Sequence, residues 1–82
     1  MNNTLLLADD EEGIRKVLGI ALADSGYQVV AAENGLEALK LFRDTRPAIV
    51  LTDIKMPGLD GIELLRWIKA ERPETEVIML TA

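Results

Sequence analysis

The chain has 82 residues, a formal charge of −5 and 49% hydrophobic residues, which allows one small, marginally stable domain with a real core and argues against disorder. It has no cysteine, so disulfides and thiolate metal sites are excluded, and the acidic balance with no run of Lys or Arg argues against nucleic acid or an anionic membrane as a direct partner of this segment. The longest apolar runs are too short to span a bilayer and the N-terminus lacks the basic flank of a secretion signal, so a cytoplasmic protein is the default expectation.

Thr4 to Ala8 is a short apolar run bounded by the acids Asp9 to Glu12, and it reads as a buried strand. Ile14, Val17, Leu18, Ala21 and Leu22 then recur at helical spacing, and Gly26 stands where a C-terminal cap belongs. A helix is predicted over Glu11 to Ser25. Tyr27 to Ala32 is the second predicted strand. Asn34 followed by Glu37 resembles a capping box and opens a helix through about Thr45, with Leu36, Ala38, Leu39 and Phe42 as its apolar candidates. Pro47 ends it. Ala48 to Thr52 is almost wholly apolar, as expected of a strand buried on both faces. Lys55 to Gly58 forms a loop. Asp60 and Glu63 repeat the capping pattern and open a third helix through Glu71. After Pro73, Glu76 to Thr81 is a fourth strand.

Strands alternating with helices predict right-handed crossovers and an α/β fold, a parallel sheet with helices on both faces. Ligands of such sheets bind outside the carboxyl ends of the strands. Asp9 and Asp10 end the first strand, Asp53 the third and Thr81 the fourth. Three carboxylates and a hydroxyl should therefore meet at one edge, although they are far apart in sequence. Clustered carboxylates repel one another, and protons or a cation must offset the charge. Oxygen ligands of this kind suit Mg²⁺. A carboxylate can also be a nucleophile toward phosphorus, forming an acyl phosphate, and Thr81 could donate a hydrogen bond to a phosphoryl oxygen. Each of these residues has a plainer reading: Asp9 and Asp10 as acids favoured before a helix, Asp53 as a strand-end turn residue, Thr81 as an ordinary strand threonine. Asn34 and Asp60 read as caps, Glu11 and Glu12 as a solvated first turn, Phe42 and Trp67 as packing residues, and Met56 as a loop plug.

The chain resembles the receiver domain of two-component response regulators. The residues that carry the resemblance are Leu5-Leu6-Leu7-Ala8-Asp9-Asp10-Glu11, Gly35 with Glu37-Ala38-Leu39, Asp53-Ile54-Lys55-Met56-Pro57-Gly58-Leu59-Asp60-Gly61, and Leu80-Thr81-Ala82. The resemblance covers the whole chain. It implies a three-layer flavodoxin-like (CheY-like) sheet with strand order 2-1-3-4-5. It implies that Asp53 accepts a phosphoryl group from a sensor histidine kinase or phosphotransfer protein. Asp10 and Asp53, joined by the backbone carbonyl of Lys55, would bind Mg²⁺, with Asp9 acting mainly through a bound water. Thr81 would be the switch hydroxyl, and Met56-Pro57 and Gly61 would shape the loop. Phosphorylation in the family shifts a pre-existing conformational equilibrium.

A complete receiver continues with a fourth helix, a fifth strand and a fifth helix. Residues 1–82 therefore read as a receiver domain truncated after the fourth strand, with four strands and three helices of the usual five and five. The family's phosphate-binding lysine and its switch-coupled aromatic residue have no counterpart here, and neither Lys55 nor Lys69 replaces that lysine. One face of the first helix is expected to lie open, and the fourth strand becomes an edge through which the chain could self-associate. Two other functions compete with a phosphorylation switch. An aspartate-nucleophile phosphatase resembling the haloacid dehalogenases would need a second Asp two residues after the nucleophile, where this chain has Lys55; turnover of outside substrates is therefore not expected. The other alternative is a non-phosphorylated interaction module or inactive receiver fragment.

Overall fold

The computed structural model describes residues 2–80. The order is β1 (Thr4–Ala8), α1 (Glu12–Asp24), β2 (Gln28–Ala32), α2 (Gly35–Thr45), β3 (Ile49–Asp53), α3 (Gly61–Glu71) and β4 (Glu76–Leu80). The four strands make one parallel sheet in the order β2-β1-β3-β4. This is the α/β fold and strand order expected from the sequence.

Alternation along β1 decides the two faces, because successive side chains of a strand point to opposite sides. Leu6 and Ala8 join Val50 of β3 in a core with Ala38, Leu39 and Phe42 of α2 and Leu64 and Ile68 of α3. Leu5 and Leu7 are also buried but stand outside that cluster, on the face where α1 meets β1 and β2. α1 is the less embedded helix and has no buried residue. Ile14, Val17 and Ile20 are exposed on it, and Ile78 is exposed on the edge strand β4. The open helix face and open edge thus match the sequence reading.

Three packing expectations need correction. Leu36 is 67% exposed: it sits in the first turn of α2, beside Ala38 and Leu39 that face the core. Trp67 is 49% exposed and lies under the Arg43 guanidinium, 5.7 Å from the ring centroid, instead of filling the core. β3 is not buried on both faces. Val50 and Thr52 are buried while Ile49 and Leu51 are only partly covered, because the α1 side is open here.

Caps and turns fix the ends of α2 and α3. Asn34 Oδ1 accepts from the Glu37 amide at 2.8 Å, and the Glu37 carboxylate accepts from the Glu33 amide at 2.9 Å. Asp60 and Glu63 form a reciprocal capping box. α2 ends on Arg46 with φ 48, a left-handed cap whose amide donates to the Phe42 carbonyl at 2.9 Å, and Pro47 after it cannot continue the helix.

Candidate functional site

The carboxyl edge of the sheet gathers the predicted acids. Asp9 follows β1, its amide donating to the Ala32 carbonyl of β2 at 3.1 Å. Asp10 is the next residue, and Asp53 closes β3. One carboxylate oxygen from each of Asp9, Asp10 and Asp53 lies within 4.8 Å of the others. Asp9 is buried, Asp53 half-buried and Asp10 exposed, so the cluster is deep at one end and open at the other. Asp9 Oδ1 accepts from the Glu11 amide at 2.9 Å, which engages one of its oxygens and leaves the other without a hydrogen bond among the described residues.

The walls come from the loop after β3 and the start of α2. A cleft of about 420 Å³ is lined by Asp10, Lys55, Met56, Pro57 and Asp60. A neighbouring one of about 500 Å³ shares Asp10 and Pro57 and adds Glu33, Asn34, Leu36 and Gly58. Met56 is buried in the core cluster, the plug expected of it. Lys55 is exposed at the rim. Gly61 holds α3 against the site: its amide donates to the Ile54 carbonyl at 2.8 Å, and a Cβ there would collide with the Asp53 carbonyl oxygen. Gly35 likewise has no room for a Cβ beside the Leu59 carbonyl. Two glycines therefore let α2 and α3 approach the β3–α3 loop closely enough to frame the acids. Thr81 lies outside the described residues.

Sequence reasoning missed Arg15. Its Nη1 donates to the backbone carbonyl of Asp9 at 2.8 Å. The available signal was slight: Arg15 and Lys16 are the first cations after the acidic stretch, and nothing in the sequence says which of them turns back.

The donor set suits a hard divalent cation. Three carboxylate oxygens converge without a basic side chain paired to any of them among the described residues, and oxygen-only sites favour Mg²⁺ or Ca²⁺ over softer metals.

The chain is a parallel α/β domain with an acidic triad at the carboxyl edge of its sheet. A family model described as the response regulator receiver domain matches residues 5–82, and the chain belongs to that family. It is 44% identical over 82 residues to sporulation initiation phosphotransferase F of Bacillus subtilis, covering all of this chain and 66% of that protein. It is 42% identical over 80 residues to the regulatory protein AtoC of Escherichia coli, covering 98% of this chain and 17% of that one. Among solved structures it superposes on the response regulator protein TrrA of Thermotoga maritima, a complex with Mg²⁺ and BeF, with a TM-score of 0.93 and 40% identity. That match covers all of this chain and 70% of the other. The chain thus spans only part of the length of the relatives it matches.

Proposed function

We propose that this chain is the phospho-accepting part of a two-component signalling protein, with Asp53 as the acceptor. The observation that carries the reading is the meeting of Asp9, Asp10 and Asp53 from two strand ends within 4.8 Å. Asp53 is the half-buried member and ends the strand next to β1, its backbone paired in the sheet and closely approached by Gly61.

In the proposed step a carboxylate oxygen of Asp53 attacks the phosphorus of a phosphohistidine on a kinase or phosphotransfer protein. A P–O bond forms as the P–N bond breaks, the imidazole nitrogen keeps the electron pair, and Asp53 becomes an acyl phosphate. Asp9, Asp10 and Asp53, with the carbonyl of Lys55, would hold Mg²⁺. When bound, the ion neutralises charge that would otherwise oppose an anionic donor meeting an anionic nucleophile. Asp9 is suited to an indirect part, since the Glu11 amide occupies one of its oxygens. Thr81 keeps its proposed role as the hydroxyl that reports the phosphorylated state. The TrrA structure supports the reading, since that relative was solved as a complex with Mg²⁺ and BeF.

Residues 1–82 are proposed to act as a receiver segment in the cytoplasm, partnered by a histidine kinase or phosphotransfer protein and without direct nucleic-acid contact. No described helix is long and apolar enough to cross a membrane. The fold and family are those of a switch, and no turnover of outside substrates is proposed. Transfer from a phosphorylated kinase tests the reading. Label should appear on the protein only with Mg²⁺, be released by hydroxylamine as an acyl phosphate is, and be absent from Asp53→Asn. Hydroxylamine-resistant label, or label on the variant, would refute it.

A further inference from the structure

The turn that presents Asp10 has no cap of its own. α2 and α3 begin with side chains bound to the amide three residues on. α1 has Glu11 at its N-cap, and that side chain makes no cap hydrogen bond. Two other bonds shape its approach: the Glu11 amide donates to Asp9 Oδ1, and Arg15 Nη1 donates to the Asp9 carbonyl. The second matters for a geometric reason. The Asp9 carbonyl belongs to the rigid peptide plane that continues into the Asp10 amide. Holding that oxygen from α1 fixes the direction in which Asp10 leaves the strand. Asp10 is exposed, and its carboxylate makes no hydrogen bond among the described residues. Its place in the triad therefore depends on its backbone.

The geometry points to Arg15 as a positioning residue that clamps the Asp9–Asp10 peptide so that the acidic triad is ready for a divalent cation. The inference rests on the reading of the triad as a Mg²⁺ site. Arg15 also brings positive charge, which acts in the opposite sense: removing a nearby cation strengthens cation binding, while removing the clamp weakens it. Salt separates the two, because charge effects at an exposed site are screened within about 3 Å at 1 M ionic strength and a hydrogen-bonded backbone is not.

The test uses Arg15→Met, which keeps an apolar stem and removes both donor and charge, beside wild type and Asp53→Asn. The Glu11 amide is followed by hydrogen exchange without metal, and Mg²⁺ affinity by calorimetry at low and high salt. In Arg15→Met the Glu11 amide should exchange faster. Its Mg²⁺ Kd should rise about three- to tenfold at high salt, the range one hydrogen bond supports, with a smaller rise at low salt. Unchanged Glu11 protection overturns the clamp. So does Mg²⁺ binding that is tighter at low salt and equal to wild type at high salt, which would make Arg15 a charge alone. Wild type that fails to bind Mg²⁺, or Asp53→Asn that binds as well as wild type, overturns the metal reading, and the Glu11 exchange rate then still decides the clamp.

Discussion

Asp53 and Gly61 show how tightly chemistry and packing are joined at the scale of single residues. The helix that frames the acceptor starts with a glycine because the Asp53 carbonyl occupies the space of a Cβ. Gly61→Ala should therefore destabilise the fold by about 1–3 kcal/mol, the usual cost of forcing atoms into a filled site, and displace the acceptor as well. Urea unfolding would measure the first effect and phosphoryl labelling the second. Asp53→Asn differs in kind. Its side chain makes no hydrogen bond among the described residues, so the variant should melt within a few degrees of wild type while losing the acceptor entirely. A large loss of stability would mean that the carboxylate holds the fold together. The three acids were legible in the sequence because a parallel sheet brings its carboxyl ends to one edge. Arg15 was not, because its partner is a backbone carbonyl six residues back, which leaves no pattern of residue types.

Among the elements, caps and the open face of α1 were legible, and the exposure of Leu36 and Trp67 was not. Asp60-x-x-Glu63 names its own geometry, and the structure supplies both bonds. Asp60→Ala should cost about 1 kcal/mol, read as a lower denaturation midpoint with unchanged slope. The apolar periodicity of α1 was equally plain, and on the side expected to lie open Val17 stands 68% and Ile20 64% exposed. Periodicity marks a face without saying how much of it is covered. Polar substitution of Val17 or Ile20 should change stability by no more than about 0.5 kcal/mol, and a much larger loss would place a packing partner on that face. Trp67 misled for a similar reason: a lone large aromatic reads as core, but here it supports Arg43, which ties α2 to α3 through Glu71 at 2.7 Å. The hydrogen bond from Arg43 holds the Glu71 carboxyl below its ordinary range. A depressed carboxyl contributes its stability above the ordinary carboxylate range and loses it as pH falls through the lowered value. Arg43→Met should therefore narrow its stability gap to wild type as the solution is acidified, and a gap constant from neutral to acid pH would show that the pair is not what the substitution removed.

For the whole molecule, the parallel sheet with helices on both faces follows from alternating strands and helices, and the strand order β2-β1-β3-β4 is the part that needed the family resemblance. The open β4 edge and the exposed Ile78 leave self-association as a proposal. Ile78→Lys should lower it if it occurs through that edge, as sedimentation at rising concentration would show. Binding of Mg²⁺ to the native triad alone should stabilise the fold by about 1.4 kcal/mol at ten times its Kd. The melting temperature should rise by several degrees and the rise should vanish on chelation. The most direct measurement of the central claim is the intact mass of wild type and Asp53→Asn after incubation with a small acyl-phosphate donor, with and without Mg²⁺. The account predicts a single phosphoryl adduct on wild type in Mg²⁺ and none on the variant. An adduct of equal yield on both proteins would contradict it.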